Sequence, residues 1–415
     1  MKIALPNHIP FDQIVKQFGT PVYVYDLDEI RSRVERLKKA FSFTLFDLFY
    51  SIKANPHLSI LNVIRDAGIG VDACSAGDLW LAEKSGFCPE QITFTGVGLS
   101  NELMSRLHQK SIRTNLDSAS ELKRWCALSP SRPVGLRVAP DIKAGFSEHC
   151  QGGRWGEKLG IGLEEIPILI KKAKKYGVVI RGLHMHIGSG MLNSAPILKA
   201  VDRLLPLFEQ FSQLEYLNIG GGLGTSYHDD EDEMPVEQLA QTLCSKLKQF
   251  IKFHNRPLRL QAEPGEFISA PAGYILSKVM VKKIWNRNGE RREVLILDAS
   301  MNHYPAGVLY NSMNRIYLLS TPNAPATHKY DIFGNTNQSG DRFGGARYLP
   351  EVKEGDILVL GSCGAYAASR ASTFNEHLLA PEIVVSKGQV ALASRGQTFE
   401  ELFGRMTSKL VWPKQ

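Results

Sequence analysis

The stretch Tyr50-Ser51-Ile52-Lys53-Ala54-Asn55 follows directly on a largely apolar run from Phe46 to Ile52, and such a run predicts a buried strand. A lysine at the end of a buried strand is desolvated, and a desolvated amine loses its charge more readily. The uncharged amine can attack a carbonyl group and form a Schiff base. A strand-end lysine can equally extend its amine into water. Lys53 is therefore a candidate nucleophile with a common structural alternative.

Short β-rich runs recur along the chain from this stretch onward. They lie near residues 45–53, 69–73, 92–96, 111–116, 133–139, 180–186, 215–219 and 258–263. Helical patterns separate most of them, for example Leu58–Ala67, Asn101–Gln109 and Val236–Phe253. Eight strands that alternate with helices predict a (β/α)8 barrel of the TIM type. The glycine-rich and charged stretch Ile142–Gly156 is expected to form a long mobile loop.

The pattern changes beyond Ala270, where strand-like runs follow one another without long helices. These runs are 273–285, Arg292–Asp298, Arg315–Leu319, Asp356–Leu360, Glu382–Val385 and Gln389–Ala393. They predict a C-terminal antiparallel β domain, with Ser386-Lys387-Gly388 as a hairpin turn. We expect the early strand Pro21–Asp26 to join it. The expected domains are a barrel over 27–268 and a β domain formed by 1–26 and 269–415.

Composition and charge limit the function classes. The chain has 415 residues, of which 43% are hydrophobic and 22% charged, as is ordinary for a globular enzyme. Its formal net charge of +7 is dispersed, and the basic cluster Lys171–Lys175 lacks interleaved aromatic residues, so we expect no nucleic-acid binding. The basic excess suits a small anionic ligand.

The cysteines and apolar runs predict the cellular setting. The six cysteines show no CxxC-like pairing, which indicates neither a disulfide framework nor a zinc site. No run of about 18 apolar residues occurs, and the apolar run after Met1 is too short for a secretory signal. A cytoplasmic protein without membrane contact is therefore expected.

Side chains with chemistry stand at the ends of the predicted barrel strands, where such barrels carry their active sites. They are Lys53, Asp72, Arg137, His186 and Glu263. A carboxylate as deep as Glu263 needs a cationic partner, because an unpaired buried charge is costly. That partner is either Arg137 or the protonated nitrogen of a pyridine ring, which such a carboxylate would keep in its electron-accepting form.

Two further motifs fit an aromatic, phosphorylated cofactor. Gly220-Gly221-Gly222 can turn successive backbone N–H groups toward an oxyanion, although a tight barrel turn explains it equally well. His184 and His186 share one face of a strand, but no third ligand follows at a metal-like spacing, so no metal site is predicted. His186 is then a core residue or stacks on an aromatic ring, with Ser189 on a phosphate.

Gly361-Ser362-Cys363-Gly364-Ala365-Tyr366 follows a strand of the β domain. A tyrosine flanked by glycine on a loop can reach a phosphate or a substrate. Most such tyrosines are packing residues, so both interpretations stay open for Tyr366.

Taken in order, these motifs resemble the fold-type III, alanine-racemase-like pyridoxal-phosphate decarboxylases, which include the diaminopimelate, ornithine and carboxynorspermidine enzymes. The matching pieces are Thr20–Asp26, Tyr50–Asn55, Asp72–Gly77, His186–Ser189, Gly220–Gly222, Glu263–Gly265, Ser339–Asp341 and Gly364–Tyr366. The resemblance covers almost the whole chain. It implies a barrel followed by a β domain, and a homodimer in which each active site borrows residues from the partner's β domain.

The resemblance also implies roles for individual residues. Lys53 would bind pyridoxal 5′-phosphate, Glu263 its ring nitrogen and His186 its ring face. The phosphate would be held by Ser189 and Gly220 to Gly222, with Tyr366 assisting. The remaining cofactor-binding positions are Asp72, Arg137 and Gly265. Lys53, His186 and Tyr366 would be the catalytic residues.

The positions expected to bind substrate depart from the family. Where the diaminopimelate enzymes have Cys-Glu-Ser-Gly-Asp, this chain has Asn337-Gln338-Ser339-Gly340-Asp341, so the thiol that donates a proton and one carboxylate are missing. The arginine expected to bind a distal carboxylate is Ala306. Glu266 replaces the arginine usual after Glu-Pro-Gly, and that feature and the His-x-Pro of His303–Pro305 are similar to the carboxynorspermidine enzymes.

The expected function is therefore α-decarboxylation of an amino acid with altered recognition of its distal end, such as a carboxylated polyamine, a basic amino acid or an amino-acid conjugate. Diaminopimelate decarboxylation to L-lysine is the first alternative. A racemase with Tyr304 or Tyr366 as second base and a silent, partner-binding homologue are the others. Expected substrate-binding residues are His303, Tyr304, Asn337, Gln338 and Asp341. The proton donor stays open among His303, Tyr304 and Cys363.

Overall fold

In the computed structural model, strands alternate with helices up to about residue 270, and mostly strands follow beyond it. The structure describes residues 4–42, 45–128, 132–147, 150, 152–228, 230–310 and 314–406. The chain divides into a barrel unit, Glu29–Ser226 with Asp230–Pro271, and a β unit, Met1–Asp28 with Tyr227–Asp229 and Ala272–Gln415.

The strands and helices are numbered in chain order. The strands are β1 Val22–Asp26, β2 Phe46–Ser51, β3 Gly70–Ala73, β4 Ile92–Phe94, β5 Arg113–Leu116, β6 Val134–Ala139, β7 Ile161–Gly162, β8 Ile180–His184, β9 Tyr216–Asn218, β10 Arg259–Ala262, β11 Gly273–Arg287, β12 Glu290–Leu297, β13 Ile316–Leu318, β14 His328–Phe333, β15 Arg342–Leu349, β16 Ile357–Leu360, β17 Glu382–Ser386 and β18 Gln389–Ser394. The helices are α1 Phe11–Phe18, α2 Leu27–Ala40, α3 Leu58–Asp66, α4 Ala76–Lys84, α5 Asn101–Gln109, α6 Ala119–Leu128, α7 Ile166–Lys175, α8 Ala195–Gln210, α9 Val236–His254, α10 Glu266–Ser269, α11 Ala306–Tyr310 and α12 Phe399–Phe403.

Eight parallel strands close the barrel in the order β2, β3, β4, β5, β6, β8, β9 and β10, and β10 pairs with β2. The predicted barrel is confirmed. The two-residue strand β7 adds a short parallel pairing to β6. Since all eight strands run in the same direction, their carboxyl ends meet at one end of the barrel, where active sites of this fold lie.

A tyrosine fills part of the barrel interior. Tyr216 is buried, and its hydroxyl donates a hydrogen bond to Asn115 Oδ1 at 2.8 Å. The ring lies against Gly182 so closely that a Cβ there would be 2.0 Å from Cζ of the tyrosine. Any larger residue at 182 would therefore displace Tyr216 from the core.

Local signals fix several helices that flank the barrel. The side chains of Ser75 and Ser100 accept hydrogen bonds from the backbone N–H of Asp78 and Leu103, which caps the first turns of α4 and α5. Helix α9 ends at His254, and the next residue, Asn255, caps it in the left-handed conformation with φ of 47°.

The β unit contains a mixed sheet rather than a purely antiparallel one. Its main strand order is β15-β14-β12-β11-β1-β17-β18, and β16 pairs with both β11 and β13. Most pairs are antiparallel, including the β17–β18 hairpin, but β1–β17 and β12–β14 are parallel. A parallel pair needs a long connection, and residues 298–327 supply one between β12 and β14. β1 lies in this sheet, as its sequence suggested.

One core cluster of the β unit is mostly aliphatic. Ile14 of α1 packs in one buried cluster with Val22, Leu276, Ile383 and Val385. In the described part of the chain, no helix is long and apolar enough to cross a membrane.

Candidate active site

Lys53 lies in a single 3-10 turn, Ile52–Ala54, directly after β2. Its side chain is 42% exposed. The amine Nζ lies 3.1 Å from Asp72 Oδ2, 3.3 Å from Ser51 Oγ and 3.4 Å from Cys74 Sγ. The reactive atom is thus held among three polar groups at the carboxyl ends of β2 and β3.

Asp72 is only 1% exposed, and its two oxygens differ. Oδ2 accepts from Lys53 and lies 2.9 Å from Ser51 Oγ, whereas Oδ1 is buried and has no hydrogen-bond partner among the described residues. Burial raises the pKa of Asp72, and the nearby charge of Glu263 raises it further. The charge of Lys53 opposes both effects most strongly, and His184 and the hydrogen bond from Ser51 also lower the pKa.

Glu263 follows β10 and is 3% exposed. Asn218 Nδ2 donates to its Oε1 at 2.6 Å, and His184 Nε2 lies 3.0 Å from its Oε2. Burial raises the pKa of Glu263, while the charge of Lys53 and the bond from Asn218 lower it. Two polar side chains, rather than an ion pair with Arg137, therefore orient this carboxylate.

Burial disfavours the charged form of both histidines of the His-x-His motif. Burial holds the pKa of His184 well below its usual range, and the charge of Arg137 adds to the effect. A neutral His184 donates from Nε2 to Glu263, which leaves a buried Nδ1 without a hydrogen-bond partner in the described structure. Burial, then the charge of Lys53, likewise lowers the pKa of His186 well below its usual range. A neutral imidazole can lie flat on a cationic ring without repulsion.

The glycine triplet after β9 is sterically required. Gly220 and Gly222 have φ of 70° and 84°, and a Cβ on Gly222 would stand 2.0 Å from the carbonyl oxygen of Gly188. Asn218 Oδ1 accepts a hydrogen bond of 2.8 Å from the backbone N–H of Gly220. The same Asn218 side chain therefore contacts both the triplet and Glu263.

Arg137 belongs to a second pair at the same end of the barrel. It is 6% exposed, and its Nη1 lies 3.4 Å from Asp117 Oδ1. Asp117 also accepts from the backbone N–H of Gly160, and its pKa is raised by burial but lowered by Arg137.

Ser189 and Gly265 occupy tightly packed backbone. The backbone N–H of Ser189 donates to the carbonyl of Cys150, and its own carbonyl accepts from Phe146, so the described part of loop 142–156 is bonded to this segment. A Cβ on Gly265 would lie 2.7 Å from Ala54 Cβ, so the absence of a side chain at 265 allows the Lys53 turn to approach.

Asp341 anchors, within the β unit, the loop that was expected to bind substrate. It is 1% exposed and accepts from the backbone N–H of Met301 at 2.7 Å and of Thr336 at 3.0 Å, and from Thr336 Oγ1 at 2.6 Å. Asn337 and Gln338 are exposed, and Asn375 Oδ1 accepts from the backbone N–H of Asn337. Asp341 thus shapes the loop that presents the two amides.

The other expected residues of the β unit are mostly buried. His303 is 4% exposed, its Nδ1 accepts from the backbone N–H of Ser300, and burial lowers its pKa to about 4. Tyr304 is 5% exposed. Tyr366 has a left-handed φ of 56°, and the Arg370 guanidinium lies 4.9 Å from its ring centroid.

Cys363 is fully buried, and burial raises its pKa. Its Sγ contacts Asn314 Nδ2 and the carbonyl of Gly361. A thiol enclosed in this way is a poor proton donor to a substrate.

Comparison with known proteins decides the family. Residues 27–270 match the family model described as the pyridoxal-binding domain of the pyridoxal-dependent decarboxylases. The chain belongs to the pyridoxal-dependent decarboxylases. It is a carboxy-lyase that uses pyridoxal phosphate on amino acids.

The relatives of this decarboxylase extend over nearly its full length. It is 32% identical to the diaminopimelate decarboxylase of Methanothermobacter thermautotrophicus, covering 94% of this chain and 92% of that protein. Identity is 33% with the Zymomonas mobilis enzyme of the same name, over 97% and 96%. The crystal structure of Helicobacter pylori diaminopimelate decarboxylase complexed with L-lysine superposes with a TM-score of 0.86 at 27% identity, covering 95% of this chain and 98% of that one.

The strand ends of this decarboxylase fit pyridoxal phosphate. Lys53 supplies an amine. The Gly220–Gly222 triplet offers backbone N–H groups in a turn that has no room for a Cβ. Glu263 can accept further hydrogen bonds beyond those with Asn218 and His184. The buried His184 Nδ1 and Asp72 Oδ1 without hydrogen-bond partners show that the polar site has unused capacity. Among the described residues, no group of three or more potential ligands could hold a metal ion.

Sequence reasoning missed the residues that orient the decarboxylase site. Ser51 and Cys74 surround the Lys53 amine, and Asn218 and His184 hold Glu263. Their position gave one signal: each stands at or just beyond a predicted strand end. Their partners depend on the register between strands, which no local pattern shows.

Proposed function

We propose that this decarboxylase removes the carboxylate from the D-configured α-carbon of meso-diaminopimelate as carbon dioxide, replaces it with a proton and so produces L-lysine. The observation that carries the proposal is the similarity to enzymes named diaminopimelate decarboxylase, at 32% and 33% identity over more than nine-tenths of both chains. The relatives named above are all decarboxylases, which favours this reaction over a racemase or a silent homologue.

The barrel residues explain how the chain would support the reaction. When bound, pyridoxal phosphate supplies an electron sink for the electron pair left behind by the departing carboxylate. Lys53 would hold the cofactor through its amine, and Glu263, oriented by Asn218 and His184, would keep the ring nitrogen protonated. His186 would cover the ring face, and the glycine triplet with Ser189 would bind the phosphate.

A second candidate keeps the chemistry but changes the distal end of the substrate. The specific observation is that the exposed side chains at the anchored loop are the amides Asn337 and Gln338, while position 306 is a buried alanine. Without an arginine at 306 a distal carboxylate would lack a cationic partner there, whereas the amide oxygens can accept hydrogen bonds from a distal amine. A carboxylated polyamine, a basic amino acid or an amino-acid conjugate would then be the substrate.

We also propose the assembly and its location. Residues 27–268 bind the cofactor, while 1–26 and 269–415 form a β domain that completes the active site of the partner in a homodimer. Tyr366 and the substrate-binding residues of this domain would act across the subunit boundary. The six cysteines, which form no disulfide among the described residues, support a cytoplasmic location.

A substrate panel tests these proposals. The cofactor-loaded protein is incubated with meso-diaminopimelate, ornithine, lysine, arginine, carboxynorspermidine and amino-acid conjugates, and carbon dioxide release and product mass are measured. Lysine formed from diaminopimelate supports the first proposal. Release only from another compound supports the second candidate, and Lys53→Ala serves as the inactive control.

Subunit complementation tests the shared site. Lys53→Ala and Tyr366→Ala are each expected to be inactive alone. Mixed and reassociated, they should regain partial activity, because one of the two sites in a mixed dimer contains neither substitution. No recovery in mixtures shown to exchange subunits would refute the shared site.

A further inference from the structure

A cavity of about 340 Å³ lies in the barrel unit where several strands begin, away from the strand ends that carry Lys53. Arg113 and Arg259, the first residues of β5 and β10, line it, together with Arg132 and Arg181. This volume is at the lower end of the range for small-molecule pockets and far larger than a single water needs. Two acidic residues, Glu90 and Glu215, also line it, so arginines outnumber carboxylates.

The carboxylates nearby are largely engaged. Glu215 lies 3.4 Å from Arg181, and Asp47 accepts from Arg259 at 2.8 Å and from Gln261 at 3.0 Å. Such contacts satisfy the arginines that take part in them. They leave Arg113 and Arg132 without a close carboxylate partner among the described residues.

Arg113 is held in place by ring stacking rather than by an anion. Its guanidinium lies 5.6 Å from the Phe49 ring centroid and 5.8 Å from that of Tyr216. Its Nη1 is buried without a hydrogen-bond partner among the described residues, and Asp47 Oδ2 is 3.9 Å away. The Arg113 side chain is 33% exposed, so its guanidinium is oriented by the two rings and still reachable, which suits a carboxylate or phosphate.

His108 gives a second, independent indication. Its Nε2 is also buried without a hydrogen-bond partner in the described structure, and its ring contacts Trp125 edge to face at 5.5 Å between centroids. Both residues line the cavity. Arg132, whose Nη1 contacts Ser111 Oγ, brings a further positive charge near the imidazole. Two unmatched polar groups, an aromatic wall and surplus positive charge thus meet in one cavity.

We infer that this cavity binds a small anion that carries a carboxylate or phosphate group. The Arg113 guanidinium donates to the anionic group, the His108 imidazole lies beside it, and Trp125 packs against the rest of the ligand. The site is separate from the decarboxylation site and does not depend on the identity of the substrate.

The test is a titration of the cofactor-loaded protein with citrate and, separately, with inorganic phosphate, by isothermal calorimetry at constant ionic strength. We expect saturable binding in the millimolar range or tighter for at least one of them, and the tighter one identifies the recognised group. Arg113→Gln should weaken it about tenfold or more, because a charge-assisted hydrogen bond is lost. Arg292→Gln, which removes the same charge from an exposed position paired with Glu290, should bind as the wild type does.

A second readout locates the ligand even if Arg113→Gln fails to fold. In the protein with ¹³C-labelled histidine, the imidazole resonance that disappears in His108→Gln belongs to His108. That resonance should shift along the same saturation curve as the calorimetric heat. Non-saturable heats for both anions, equal affinity in Arg113→Gln, or an unmoved His108 resonance would each overturn the inference.

Discussion

Asp72 in the barrel unit and Asp341 in the β unit are each 1% exposed, but they are satisfied differently. Asp341 accepts from the backbone N–H groups of Met301 and Thr336 and from the Thr336 hydroxyl, so it joins its own loop to the segment after β12. Asp72 contacts a lysine amine and a serine hydroxyl through one oxygen, and its other oxygen has no hydrogen-bond partner among the described residues. The carboxylate of Asp341 is thus satisfied mainly by backbone donors, whereas that of Asp72 can still accept a hydrogen bond next to the Lys53 amine.

Hydrogen-bond satisfaction therefore distinguishes a structural carboxylate from a candidate catalytic-site carboxylate better than burial does, since both aspartates are equally buried. A carboxylate saturated by backbone donors stabilises a loop, and the loop fails without it. A buried carboxylate with unused capacity costs stability, and such a cost persists in proteins mainly at functional sites. The two groups should therefore respond in opposite ways to substitution.

The largest effect is expected at the amine beside Asp72. Lys53→Ala should abolish carbon dioxide release and the absorbance band near ~420 nm of the cofactor-loaded protein, because the covalent link to the cofactor is lost. Spectra and activity are measured after reconstitution. The far-ultraviolet circular dichroism should stay unchanged, since the side chain is 42% exposed. A wild-type band that persists in Lys53→Ala would show that another group holds the cofactor.

Asp341→Ala should mainly affect stability. Two backbone donors and one hydroxyl lose their acceptor, so unfolding in urea should show a loss of about 2–5 kcal/mol. Glu290→Gln removes an exposed carboxylate of the same unit, 65% exposed and paired with Arg292, and should cost about 0–1 kcal/mol. Equal losses in the two variants would contradict the scaffolding role.

Asp72→Asn should change how stability depends on pH. Because burial raises the pKa of Asp72 above that of an unfolded aspartate, the folded chain holds this proton more tightly than the unfolded chain does. Stability therefore falls as pH rises from the unfolded toward the folded pKa, and a residue that cannot ionise removes this contribution. The pKa of Glu263 is also raised, so the dependence of the free energy of unfolding on pH should become weaker in Asp72→Asn without disappearing.

The measurement is urea unfolding of the cofactor-free chain at a series of pH values. Asp66→Asn is the matched control, since this aspartate is 68% exposed. The interpretation fails if Asp72→Asn and wild type keep the same slope.

The smallest effect concerns the thiol beside Lys53. Burial, then the charge of Asp72, raises the pKa of Cys74 to about 12, so little thiolate exists at pH 8. Iodoacetamide should label Cys74 more slowly than the exposed Cys88 in the cofactor-free chain, as measured by peptide mass spectrometry. Asp72→Asn should accelerate labelling at Cys74 and leave Cys88 unchanged. If Cys74 reacted as fast as Cys88 in the wild type, the thiol would be ionised.

Regular periodicity made the barrel predictable from sequence. The predicted runs 69–73 and 133–139 contain β3 and β6, and Asn101–Gln109 coincides with α5. In the β unit, β14 and β15 were not predicted, since they carry charged residues, and β15 contains Gly344 and Gly345 next to register shifts. Strands that are partly exposed and irregular lack the alternation by which strands are recognised.

The site was predictable only in part. Lys53, Asp72 and Glu263 stood out because ionisable residues at strand ends are rare in such apolar surroundings. The bond from Asn218 to Glu263 joins residues 45 positions apart on neighbouring strands, and only the closed barrel reveals it. The backbone role of Asp341 was also hidden, because its sequence neighbourhood marked it as a substrate ligand.

The side chain of Asn218 has a consequence for how this enzyme can diverge. Its Oδ1 accepts from Gly220 in the glycine triplet and its Nδ2 donates to Glu263, so one side chain couples the position of the triplet to that of the carboxylate. A substitution of Asn218 would therefore disturb the glycine triplet and Glu263 at the same time. We therefore expect changes of specificity at exposed positions such as Asn337 and Gln338, where substitutions are tolerated more readily.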